Sequence, residues 1–120
     1  MVNRIVKRGS IVLVHYPFTD FTGIKVRPAV VLTPNSLLPK INDVLCLFIS
    51  SVIPQDVLPT DFILETNHPS FPNTGLRFSS VFRTHKLASL EKSMVIRILG
   101  ELDNLLTKQL NTRLKIAVGL

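Results

Sequence analysis

Eight prolines punctuate this chain of 120 residues, and they limit its fold more than any other feature. Each proline removes a backbone donor and fixes φ, so a long helix cannot run through it. The segments between them are short, apolar and rich in β-branched residues. Residues 11–16, 29–33, 43–49, 61–65, 79–82 and 94–99 read as strands. Residues 19–23 read as an exposed turn, and residues 67–75 are the most loop-like stretch. Gly100 punctuates once more, and then the period changes. Asp103 is a candidate N-cap, Leu106, Leu110, Leu114 and Ala117 recur at helical spacing, and Gly119 is a candidate stop. Such a helix would bury its leucine stripe and expose Lys108, Arg113 and Lys115. Several strands followed by one helix predict a mainly β fold over residues 1–120. The expected form is a small barrel of curved antiparallel strands with a terminal α-helix. Parallel βαβ units would need more helices than the pattern offers.

Composition removes several other classes. Hydrophobic residues make up 46% and charged residues 18%, which is too apolar for a disordered chain. A chain this long can bury roughly two-thirds of its unfolded surface, so it needs no covalent or metal staple. The single cysteine, Cys46, excludes an intrachain disulfide and a cysteine-based zinc cluster. A reducing, cytoplasmic home is the expectation. The longest apolar stretch, residues 44–53, is interrupted by Ser50 and Ser51 and falls short of a membrane span. The basic N-terminus before residue 11 leads into too short an apolar run for a signal peptide.

The net charge of +6 is unevenly spread. Residues 1–40 carry +5, residues 41–76 carry −4, and residues 77–120 carry +5. If the fold brings the two basic flanks together, they form one surface fit for a polyanion. If not, they are an ordinary solvated surface, and charge alone leaves both readings open. On the first reading the acidic centre should lie mostly away from that surface.

The motifs of most enzyme classes are missing. There is no glycine-rich phosphate loop, HExxH, GxSxG or Cys/His metal spacing, and His15, His68 and His85 are far apart in sequence. No cofactor or metal is expected. What remains is polar chemistry at strand ends. Arg27 precedes Pro28, which biases it to an extended backbone. There it could grip a phosphate with two parallel hydrogen bonds, or be a solvated edge residue paired to Asp20. In Arg83-Thr84-His85-Lys86, a strand would put Arg83 and His85 on one face. A fixed cation beside a proton-exchanging ring suits phosphodiester chemistry, while the plainer reading is a basic edge that discourages aggregation. Ser50 and Ser51 could bond a phosphate or simply make a turn.

These residues fall into a known order. RGSIVLVHYPFTD at residues 8–20 resembles the RGDIVLVDFPFTD opening of MazF/PemK-type toxins, and GIKVRPAVVL at 23–32 resembles their RPAVVL segment. DVLCLFISS at 43–51 is similar to the strand ending in ITS, LPTDF at 58–62 to LPTxxxI, and GLRFSSVFR at 75–83 to GL…SVVR. The likeness covers the chain from about residue 8 onward, and the order and spacing of the motifs carry it.

The resemblance implies the toxin of a type II toxin–antitoxin pair. It implies an SH3-like barrel with a C-terminal helix, a homodimer, and a cognate antitoxin partner. The implied activity is metal-independent endoribonuclease cleavage of single-stranded RNA by 2′-hydroxyl attack, leaving 2′,3′-cyclic phosphate and 5′-hydroxyl ends. By position, Arg27, Ser50, Arg83 and His85 would be catalytic, and Thr19, Lys25, Ser51 and Lys86 would bind RNA. Two positions depart from the pattern. His15 stands where an aspartate is common in the first strand. His85 stands where the PemK-like branch usually has aspartate, so the arginine–carboxylate pairing would be lost. Two other readings share this fold: a binding module with impaired chemistry, and a CcdB-like gyrase poison.

Overall fold

In the computed structural model, which describes residues 5–16 and 25–120, the apolar runs form six strands. They are β1 (Ser10–Tyr16), β2 (Lys25–Val31), β3 (Asp43–Ser50), β4 (Asp61–Leu64), β5 (Ser80–Glu91) and β6 (Val95–Glu101). One α-helix, α1 (Asn104–Val118), follows. All strand pairs are antiparallel, in the order β4-β5-β3-β2-β1-β6. The fold is therefore mainly β with a C-terminal helix, as expected, and its ladder is open, with β4 and β6 as edges.

Both faces of the sheet are buried, which explains the continuous apolar runs. Alternate residues of each strand point to opposite faces. Ile11, Val30, Leu47, Ile49 and Phe82 face the helix and meet Leu106 and Leu110. Val12, Val14, Ala29, Val31, Val44 and Cys46 form a second cluster on the other face, closed by Leu38 and Leu90. Burial there pushes the Cys46 thiol up to about 11, so it behaves as a small apolar residue.

The helix ends match the expected caps. The Asp103 carboxylate accepts from the Leu106 amide at 2.9 Å. That bond, assisted by Ser70 and the charge of His68, holds its carboxyl below the usual range despite the opposing effect of burial. Gly119 ends the helix in the left-handed region at φ 75°.

Three elements differ from the expectation. β2 begins at Lys25, so Arg27 lies inside a strand rather than ahead of one. β5 continues past Phe82 to Glu91 and contains Arg83 to Lys86. Gly100 does not end β6 but lies within it, under the backbone of the short 3-10 turn Phe71–Thr74. A Cβ on Gly100 would sit 2.4 Å from the Asn73 carbonyl oxygen, and one on Gly75 would sit 2.1 Å from that of Leu99. The two glycines let the backbones cross in contact.

Candidate functional site

The strand register collects most of the expected residues on one face. Tyr16 ends β1 and Lys25 pairs with it across the ladder, while Arg27 pairs with Val14. Alternation puts Tyr16, Lys25 and Arg27 on the face of Val14 and Ala29. The Arg27 guanidinium lies 5.7 Å from the Tyr16 ring centroid, a cation–π contact. That ring meets Phe48 of β3 edge-on, at 5.1 Å and 74°. Extending the β2–β3 register beyond Ala29↔Phe48 brings Ser50 opposite Arg27. Ser50 also has the plainer role, since its hydroxyl oxygen accepts from the Val52 amide at 3.0 Å and closes the turn. Its O–H remains a potential donor to a ligand.

Ser50 pairs with Val81 of β5, and Arg83 lies two residues further along the same face. Here the ladder breaks. Ile49 pairs with Phe82 and Leu47 with Leu87, so Phe48 alone opposes the four residues 83–86. A bulge of this size frees Arg83, Thr84, His85 and Lys86 from β3. Arg83 turns to β4 instead. Its Nε donates to Asp61 Oδ1 at 2.9 Å, and its Nη2 donates to Oδ2 at 3.2 Å. The Asp61 side chain is 0% exposed, and that of Arg83 is 24% exposed.

The pairing corrects one expectation and adds an exception to another. An arginine–carboxylate pair is present despite His85, because the acid comes from another strand. The acidic centre of the chain is also not uniformly remote. Asp43 does lie at the far end of β3 from Ser50, but Asp61 is inside the site. Burial pushes the Asp61 carboxyl up. The Leu58 amide, the Arg83 bonds and the charges of Arg83 and His85 together outweigh that, and hold it below its ordinary value.

His85 is joined to the same corner. Its Nδ1 is 2.8 Å from the Thr60 hydroxyl. That hydroxyl can donate or accept, so it suits either neutral tautomer and leaves Nε2 for chemistry. The helix braces this corner. Arg113 was expected to be exposed, but it is half-buried, and its Nε donates to the Asp61 carbonyl at 2.9 Å. Its guanidinium lies 5.0 Å from the Phe62 ring centroid. The buried Thr84 hydroxyl donates to the Thr60 carbonyl at 2.8 Å.

Not all the expected residues gather here. Ser51 lines a groove of about 590 Å³ with Val26, Pro28, Arg77, Phe78 and Arg97. Val26 and Pro28 alternate with Arg27, so that groove opens on the opposite face. Lys86 is exposed on the bulge. Thr19 and Asp20 lie outside the described residues. Among the described residues, no three His, Cys, Asp or Glu side chains are grouped to hold a metal ion. No helix among them is long and apolar enough to cross a membrane. Sequence reasoning missed Tyr16, Thr60, Asp61 and Arg113. Thr60 left a signal as the threonine of the LPT segment, and Asp61 as an acid opening an apolar strand.

The comparisons with known proteins agree with this architecture. The family described as PemK-like, MazF-like toxin of type II toxin-antitoxin system matches residues 7–118. No curated protein sequence matches the chain. Among solved structures, the Mycobacterium tuberculosis toxin MazF-mt6 superposes with TM-score 0.74 at 19% identity, over 92% of this chain and 97% of its own. MazF from Deinococcus radiodurans gives 0.72 at 18% identity, over 98% and 100%. A mycobacterial endoribonuclease in complex with its cognate antitoxin gives 0.73 at 18% identity, over 97% of each. At these identities the superpositions speak for the fold.

Proposed function

Since the chain belongs to the PemK-like, MazF-like toxins of type II toxin–antitoxin systems, we propose that it is an endoribonuclease cutting single-stranded RNA. The observation that carries this reading is the convergence of Arg27, Ser50 and Arg83 on one sheet face, with His85 tied to the Arg83 corner. The basic flanks of the chain supply both arginines. Tyr16 and Phe48 form an aromatic bed beside Arg27, and aromatic faces with cations are what a single strand needs for stacking and phosphate contact.

In the proposed reaction, the ribose 2′-oxygen forms a bond to phosphorus as the bond to the 5′-oxygen breaks. The 2′-hydroxyl proton passes to Nε2 of neutral His85, and the departing 5′-oxygen takes a proton from solvent. Arg83 and Arg27 stabilise charge building on the non-bridging oxygens. Arginine stays protonated at neutral pH, so histidine is the better proton carrier of the two. The products are a 2′,3′-cyclic phosphate and a 5′-hydroxyl. No step uses a metal. Lys25 and Lys86 extend the phosphate track on either side and Thr19 remains an RNA contact in this reading, while Ser51, on the opposite face, falls outside that track.

A homodimer, a cognate antitoxin that occludes the site, and a cytoplasmic location belong to the same proposal. A binding-only module is the second reading. It is favoured by the engagement of Arg83 with Asp61, which offsets its charge. One experiment separates the two. Purified protein in EDTA should cut a defined single-stranded RNA at a few sites and leave cyclic-phosphate ends. Salt-sensitive binding without cutting would replace the enzyme by the binding module.

A further inference from the structure

We propose that Asp61 is the positioning residue of the site, aiming the Arg83 guanidinium at the scissile phosphate. The inference rests on the RNA-cleaving reading and adds a residue that the likeness in sequence does not point to.

Three observations carry it. The first is that the backbone does not hold Arg83 in place through β3, because residues 83–86 are released from that ladder. Asp61 takes over that task from the other side, through the Asp61↔Arg83 pairing of β4 with β5 and the two-bond fork. The second is the asymmetry of burial. The carboxylate is sealed beneath the surface, and the guanidinium is partly open to solvent. Two of the five N–H donors of arginine are spent on Asp61, so three remain for a ligand. The partly open guanidinium can reach a ligand that the sealed carboxylate cannot.

The third observation is that Asp61 is itself immobilised. Its Oδ2 accepts from the Leu58 amide at 2.9 Å, and its carbonyl accepts from Arg113 of the helix. The Thr84 hydroxyl bonds the neighbouring Thr60 carbonyl. A four-residue edge strand is a weak support by itself. With the helix clamped to it, β4 becomes a rigid base for the fork. The same carboxylate stays ionised through the neutral range, because its carboxyl is held below the ordinary value. A cation fixed before the reaction needs no reorganisation when charge develops on phosphate.

The test is steady-state cleavage of one defined single-stranded RNA by the full chain and its variants. Asp61→Asn should lower kcat about 100-fold, with KM within about threefold of the parent. Arg83→Ala should fall at least as far. The double variant should be no slower than Arg83→Ala within about threefold, because one residue acts through the other. A parental kcat in Asp61→Asn, or a further tenfold drop in the double variant, would overturn the assignment. Should Asp61→Asn not fold, Arg83→Lys carries the test: it keeps the charge and loses the fork, and it should fall nearly as far as Arg83→Ala. Parental kcat in Arg83→Lys would sink the idea.

A parent that leaves RNA intact would remove the ribonuclease reading, and the geometry is then read by NMR. The Arg83 Nε–H should be protected from exchange with water in the parent and unprotected in Asp61→Asn. No protection in the parent would overturn the positioning role separately.

Discussion

Arg27 and Arg83 stand on the same face of one sheet with only β3 between their strands, yet they are held by opposite means. Arg27 is exposed, and its contact among the described residues is the face of Tyr16. Arg83 is forked onto a buried carboxylate that is braced by an amide and by the helix. The first cation can follow a flexible strand as it arrives. In the proposed reaction the second would present a fixed point against which the strand is placed. A site that binds a floppy polymer and then acts on one phosphate has use for both properties.

The sharpest way to break this contrast is to remove each arginine in turn. Arg27→Ala and Arg83→Ala should each lower RNA cleavage by about 1,000-fold or more, measured as initial rates on one RNA. Their stabilities should diverge. Arg27→Ala should unfold in urea like the parent, within roughly 0.5 kcal/mol. Arg83→Ala strands a buried carboxylate and should lose about 2–3 kcal/mol. Equal losses would show that the two arginines are held alike.

The brace comes next. Arg113→Gln removes the donor to the Asp61 carbonyl and the cation over Phe62. It should cost about 1–2 kcal/mol, and amides of β4 should exchange with deuterium faster while those of β2 do not change. Uniform acceleration across the sheet would mean that the helix holds the whole fold rather than this corner.

Acid dependence distinguishes the halves more gently. The Asp61 carboxyl lies below its unfolded value, so the stability it adds is fully present above about pH 4 and is lost as pH falls through the lower, folded value. Thermal unfolding between about pH 6 and pH 2 should therefore flatten in Asp61→Asn and stay steep in Arg27→Ala. Asp103 is lowered in the same direction and should leave a residual slope in both. The smallest effect belongs to Tyr16→Leu. It keeps apolar bulk against Phe48 but removes the ring face, and should cost less than about 1 kcal/mol and slow cleavage a few-fold.

Much of the fold was legible because its signals are local. The runs of β1 and β3, the leucine stripe of α1 and its Asp103 and Gly119 ends lie within a few residues of what they specify. The apolar pattern of β5 stops at Phe82 because Arg83 to Lys86 interrupt it. That interruption is the bulge itself. Gly100 looked like a strand end because glycine often is one, and its real task is to admit the backbone of another segment.

The two halves of the site divide along the same line. Arg27, Ser50, Arg83 and His85 could be singled out as chemistry at strand ends, and their family pattern named the polyanion they would meet. Nothing near Arg83 in sequence says that its partner is 22 residues away. That choice depends on the register of β4 against β5, and the register depends on where Arg113 and Thr84 pin the edge strand. The amino-acid sequence alone determined the strands, the helix and the groups able to handle a phosphate, because periodicity, caps and side-chain chemistry act over short range. Only the tertiary structure decided which cation is free and which is held, because an ion pair is selected by distance in space, and distance in space is set by the whole sheet.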